Sequence, residues 1–170
     1  MALKKILEAI FEQDFIDASY GFRPNRSCHD APIELDLVIM NAPVNFVVDT
    51  DISKFFDTVA HKRLMECLMQ RIVDPNVIQL IGLFLKSGIM EEGVYLETDQ
   101  GTPHGGVLSS VLANVYLHYA PATWFGTVVL PQLTGFARLV RYADDFVVCF
   151  EKEVEARVFG DALRLQIGKN

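Results

Sequence analysis

The run Leu139-Val-Arg-Tyr-Ala-Asp-Asp-Phe-Val-Val-Cys-Phe150 constrains this chain more than any other segment. Two apolar stretches, Leu139–Tyr142 and Phe146–Phe150, flank Ala143-Asp144-Asp145, which is the pattern of an antiparallel hairpin. Adjacent carboxylates gripped in this way cannot easily move apart, and their like charges repel unless a cation sits between them. The arrangement invites a metal. Asp-Asp between strands is also a plain turn signal, and the dipeptide alone leaves both readings open.

A second β-branched run, Phe46-Val-Val-Asp-Thr-Asp-Ile52, sends Val47, Asp49 and Asp51 to one face and Phe46, Val48 and Thr50 to the other. If its end neighbours the hairpin in one sheet, Asp51 converges with Asp144 and Asp145. Three aspartates without a protein cage suit Mg²⁺, a hard ion that takes carboxylate oxygens, waters and substrate phosphates. Two such ions about 4 Å apart stabilise both the attacking and the leaving oxygen of an in-line phosphoryl displacement. Taken singly, Asp51 reads equally as a cap at a strand end, and Asp57 as a further metal ligand or, more simply, as a cap or a local hydrogen-bond acceptor.

The rest of the chain supplies layers to cover such a sheet. Leu3, Ile6, Leu7, Ile10 and Phe11 recur at helical spacing, and a second helix is expected from Ser27 or Asp30 to just before Asn41-Ala-Pro43. The spacing of Leu64, Leu68 and Ile72 predicts a helix over His61–Ile72. Asp74-Pro75 is an N-cap with proline at the first helical position, opening a helix that should end near Gly88. Gly93–Thr98 reads as a short strand before the loop Gly101-Thr-Pro-His-Gly-Gly106. Helices are then expected around Leu108, Leu112, Val115 and Tyr116 and over Val154–Leu165. Strands and helices in this order predict an α+β fold, with Leu64, Leu68, Ile78, Ile81, Leu112, Val115, Val140 and Val147 buried between layers.

Composition narrows the function classes. With 51% hydrophobic and 22% charged residues, the 170-residue chain should fold. Its formal charge of −7 argues against a broad basic surface gripping nucleic acid through phosphates. No apolar run reaches the roughly 18 residues of a membrane span, and the start does not read as a signal peptide, so a soluble, cytoplasmic protein is expected. Cys28, Cys67 and Cys149 suggest no disulfide framework, and the four histidines show no zinc spacing. The Gly101–Gly106 loop lacks the Lys-Ser/Thr ending of a P-loop, and Arg23 and Arg26 read either as a phosphate clamp or as ion-paired surface.

As an ordered set, four segments resemble consecutive sequence blocks of the reverse transcriptases encoded by bacterial group II introns. These are Tyr20-Gly-Phe-Arg-Pro-Asn-Arg-Ser-Cys-His-Asp-Ala31, Asp51-Ile-Ser-Lys-Phe-Phe-Asp57, Gly101-Thr-Pro-His-Gly-Gly-Val-Leu-Ser-Ser-Val-Leu-Ala-Asn-Val-Tyr-Leu-His118 and Leu139-Val-Arg-Tyr-Ala-Asp-Asp-Phe-Val147. The match spans nearly the whole chain, and order and spacing make it more specific than any one block.

The resemblance implies an RNA-directed DNA polymerase core, which adds dNTPs to a primer 3′-end on an RNA template. It implies a reverse-transcriptase-like palm, an antiparallel sheet backed by helices, with partial fingers over about residues 1–45, palm over about 46–170, and no thumb. Carried over by position, Asp51, Asp144 and Asp145 would be the catalytic metal-binding triad for two Mg²⁺ ions, with Mn²⁺ as an alternative, and Ile52 would add a metal contact through its carbonyl. Arg23, Arg26, Phe55, Phe56, His104 and Gly105 would line the nucleotide site, with the Phe56 ring selecting deoxyribose. Tyr142, Ala143 and Gly106 would lie at the primer and template. The implied partners are an RNA template, a DNA primer, dNTPs and intron RNA, with no membrane.

The chain departs from the family pattern at His104, where Gln is usual, at Ser110, where Pro is usual, and at Pro32. It also looks truncated at both ends, so a companion chain or self-association is one route to a thumb. The alternative reading is an inactive remnant acting as an RNA- or protein-interaction module. A two-metal nuclease is a third reading, which leaves the blocks outside the aspartates unexplained.

Overall fold

Residues 2–51, 59–86, 89–91, 94–96, 101 and 108–167 are described by a computed structural model of the protein. Their strands are β1 (Phe46–Asp51), β2 (Ile89–Glu91), β3 (Val94–Leu96), β4 (Ala137–Tyr142) and β5 (Asp145–Phe150). The α-helices are α1 (Ala2–Phe11), α2 (Asp30–Asn41), α3 (His61–Leu68), α4 (Pro75–Lys86), α5 (Ser109–Leu117) and α6 (Glu153–Ile167). They group into two units, one from the described parts of residues 1–15 and 53–116, the other from those of 16–52 and 117–170.

The second unit holds an antiparallel sheet of order β1-β5-β4. Central β5 is apolar because both its faces are covered. On one face Phe146, Val148 and Phe150 join Leu139, and α6 lays Ala156, Phe159 and Leu163 over them at helical spacing. The Phe159 ring meets Phe150 at 5.3 Å, Phe125 edge-on at 5.6 Å and Trp124 stacked at 5.9 Å. Each of these side chains contributes roughly 1.5–3 kcal/mol by leaving water. On the other face Val140 packs with Tyr20, Ala31 and Leu35, and Arg138 pairs with Glu34 of α2 at 2.7 Å.

Helix α5 does not stop where its sequence pattern fades. It runs on through π-helical turns at His118–Ala122 and Phe125–Val129 into a 3₁₀ turn at Leu130–Gln132. Pro121 has no N–H to give to the preceding turn, and the widened geometry lets the Thr123 N–H reach the His118 carbonyl instead. The Thr123 hydroxyl donates to that carbonyl as well, at 2.7 Å. The sequence pattern does not predict this stretch as helical, since proline in mid-pattern reads as a stop.

In the first unit Leu7, Phe11, Leu64, Leu68, Ile81, Leu112 and Val115 are fully buried. The Asp74 cap forms, its carboxylate accepting from the Asn76 N–H at 2.8 Å. Two expectations need correction. α3 ends at Leu68, and Ile72 is buried from a turn beyond it. Of the strand expected over Gly93–Thr98 the described residues are Val94–Leu96, which form β3 and pair with β2. Ile78 and Val147 are only partly buried.

Candidate active site

The hairpin closes more tightly than its sequence suggests. Tyr142 pairs with Asp145, so the connection is only Ala143-Asp144, and Asp145 is the first residue of β5 and not part of the turn. Ala143 takes φ 55°, the left-handed region that two-residue hairpins require at their first position. The pairing of β1 with β5 then decides where the third carboxylate stands. Asp51 lies directly opposite Asp145. Opposed residues of an antiparallel pair have Cα atoms about 4.5–5.5 Å apart and share a face. Tyr142, Asp145 and Asp51 therefore form one rank across the sheet, with Asp144 in the turn beside them. Asp49 shares that face, opposite Val147.

Asp145 is exposed, Asp144 half-buried and Tyr142 exposed. These are hydrated carboxylates at a sheet end, not a sealed cage, and an oxygen-only donor set of this kind matches a hard cation that keeps some of its waters. The residues present fit Mg²⁺.

A loop on the outer edge of β4 supports the turn. Ser19 bridges Arg141 in parallel, the Arg141 N–H donates to the Ala18 carbonyl at 2.7 Å, and the Tyr20 N–H donates to the Arg141 carbonyl at 2.9 Å. Gly21 then passes against Ala143, where any side chain would collide with the turn backbone. Arg141 itself faces the core opposite Phe146 and is 1% exposed. Its Nη1 donates to the Ala143 carbonyl at 2.9 Å and its Nη2 to the Ser19 hydroxyl. Burial pulls its pKa down to about 9, the Arg23 charge adds to that, and Asp144 opposes it.

The two loop arginines differ. Arg23 turns inward, its Nη1 donating to the carbonyls of Ile16 at 2.7 Å and Ser19 at 2.8 Å. Arg26 stays near the surface, paired with Asp17 at 3.2 Å and lying 5.1 Å over the Tyr20 ring. Ile52, Phe55, Phe56, His104, Gly105 and Gly106 lie outside the described residues. Gly101, at the start of their loop, has φ 84° and donates its N–H to the Val59 carbonyl at 2.9 Å. Sequence reasoning missed Gly21, Ser19 and Arg141, although the alternation of β4 already placed Arg141 on the same face as Leu139.

The family model for reverse transcriptase (RNA-dependent DNA polymerase) matches residues 1–167. This chain belongs to the reverse transcriptase family. Over 117 residues it is 44% identical to the group II intron-encoded protein LtrA of Lactococcus lactis subsp. cremoris, covering 69% of this chain and 19% of that protein. Protein YkfC of Escherichia coli K12 is 36% identical over 120 residues, covering 69% of this chain and 32% of its own length. The reverse transcriptase chain thus spans between about a fifth and a third of these two relatives. In fold it is similar to apo telomerase from Candida tropicalis, at 14% identity and a TM-score of 0.67, over 97% of this chain and 34% of that one. The α+β architecture with its antiparallel palm-type sheet is the one expected from the sequence. Among the described residues no helix is long and apolar enough to cross a membrane.

Proposed function

We propose that this chain carries the nucleotidyl-transfer site of an RNA-directed DNA polymerase of group II intron type, adding dNTPs to a primer 3′-end on an RNA template. The observation that supports this best is the register that sets Asp51 opposite Asp145, with Asp144 adjacent in the turn. The register brings Asp51 opposite one of two adjacent acids far along the chain, and a cation bound among such like charges offsets their repulsion.

In this reading Asp51, Asp144 and Asp145 hold two Mg²⁺ ions, or Mn²⁺ in their place, and the Ile52 carbonyl adds a ligand. The ions would activate the primer 3′-oxygen and neutralise charge on the departing pyrophosphate. The protein positions. Strand ends hold Asp51 and Asp145, and a two-residue turn holds Asp144, which a long flexible loop would not do. Tyr142 and Ala143 stand at the primer terminus, Phe55 and Phe56 at the sugar and base of the incoming nucleotide, and His104, Gly105 and Gly106 between nucleotide and template. Of the loop arginines, Arg26 has the guanidinium nearer the surface and is the one fitted to reach a triphosphate, while Arg23 serves the loop's own carbonyls. Residues up to about 45 act as partial fingers and those from about 46 as palm.

A net charge of −7 gives the chain little purchase on a template by itself. Template grip would then come from a thumb supplied by further sequence, a companion chain or a second copy. Primer extension on an RNA template with Mg²⁺ and dNTPs tests the reading, run on the 170-residue chain and on a form extended with a thumb. Incorporation by either form, reduced to background by Asp144→Ala, is the expected result. Template binding without incorporation by both forms would leave an interaction module as the function.

A further inference from the structure

We propose that Arg141 is a positioning residue for the carboxylate site: its buried guanidinium ties the Ala143 carbonyl to the Ser19 hydroxyl and so fixes the turn that carries Asp144 and leads into Asp145. The inference rests on the reading of Asp51, Asp144 and Asp145 as a metal site.

The residue type is the first sign. Arg141 occupies a core-facing position of β4, where the alternation with Leu139 calls for a hydrophobe, and it borders a small cavity with Phe125, Phe146, Phe159 and Leu163. Burying a guanidinium there costs free energy that a hydrophobe of similar volume avoids. What the group holds accounts for its presence. One nitrogen reaches the carbonyl of Ala143, the residue at φ 55°, and another reaches Ser19 on the loop paired to the edge of β4. Ser19 is itself held, its carbonyl accepting from Arg23 at 2.8 Å.

A left-handed alanine is disfavoured by about 1–2 kcal/mol and persists only where its surroundings over-determine it. Gly21 packs against the Ala143 backbone, and the Arg141 hydrogen bond fixes the Ala143 carbonyl. Freed of that bond, the turn can exchange conformers, and Asp144 then loses its fixed placement beside Asp145 at the start of β5.

Charge alone predicts the opposite effect. Arg141 is near enough to Asp144 for their charges to interact, so removing its positive charge should tighten cation binding at the site. Positioning predicts weaker binding. The two roles differ in sign, which makes them separable by experiment.

The test uses the 170-residue chain with Mn²⁺ alone, titrated by electron paramagnetic resonance, together with metal-free hydrogen exchange over residues 142–146. Arg141→Gln should weaken Mn²⁺ binding roughly tenfold, the scale of lost outer support around a metal, and speed exchange in the turn. Arg141→Lys should recover part of the affinity, because a single ammonium can reach one of the two acceptors. Unchanged or tighter binding by folded Arg141→Gln overturns the proposal. If that variant does not fold, Ser19→Ala decides: weaker binding with faster exchange supports the role, and wild-type values for both overturn it. Asp145→Asn is the control for the reading underneath. Should it leave Mn²⁺ affinity unchanged, the metal-site reading fails, and exchange in the turn alone then judges whether Arg141 holds it.

Discussion

A Cβ placed on Gly21 would stand 2.3 Å from the backbone nitrogen of Ala143 and 3.0 Å from its Cα. Both obstructing atoms are backbone, so no rotamer change makes room, and the turn or the loop has to shift. Gly21→Ala should therefore destabilise the protein by about 1–3 kcal/mol, the usual range for overpacking. Urea denaturation measures it. A variant as stable as wild type would show that the loop and turn are not held in contact.

The positive φ of Ala143 makes a second prediction with a contrast built in. Ala143→Gly removes the left-handed penalty but adds backbone entropy to the unfolded chain, and the two nearly cancel, leaving a change within about 1 kcal/mol. Ala143→Val keeps the strained φ, adds a β-branch and forces extra volume into a site only 6% exposed. It should cost at least about 2 kcal/mol. Comparable midpoints for the two variants in chemical denaturation would contradict this.

Legibility in the sequence depended on what each feature needed. Strand β1, strand β5 and the helices α1 and α6 followed from periodicity, since burial on one face writes itself into the spacing of apolar residues, whereas α2, with only Ala31 buried, followed from its start and stop residues. The aspartates were legible as a set because the family pattern orders them. Their register was not, because pairing of β1 with β5 is a long-range choice made by packing. Helix beyond Leu117 was hidden by Pro121, whose rule concerns α-turns and not the wider π-turn. Gly21 reads in the sequence only as punctuation. Nothing local signals that Ala143 lies against it.

Phe159 should be the most sensitive side chain in the core of the sheet-bearing unit. It is 3% exposed and touches Trp124, Phe125 and Phe150 from α6. Truncation removes three ring contacts and leaves a cavity that neighbours on a helix and a strand cannot both close. Phe159→Ala is expected to cost about 3–5 kcal/mol, and Phe159→Leu distinctly less. Thermal melts of the two variants, followed by near-ultraviolet circular dichroism, check the order as well as the size.

Glu155 provides the acid-side prediction. The Thr134 N–H holds its carboxyl below the ordinary value of 4.5, with partial burial opposing and the Thr134 hydroxyl, the Gly135 N–H and Lys152 assisting. Its carboxylate meets the Thr134 N–H at 2.8 Å and the hydroxyl at 2.9 Å, pinning the chain before β4 to the first turn of α6. A depressed folded-state pKa gives stability that is complete above the unfolded value and is lost as pH falls through the folded one. Wild type should therefore lose melting temperature from about pH 4.5 downward. Glu155→Gln should start lower at neutral pH and fall less steeply over the same window. Parallel acid limbs for the two proteins would mean that this carboxylate is not coupled to folding.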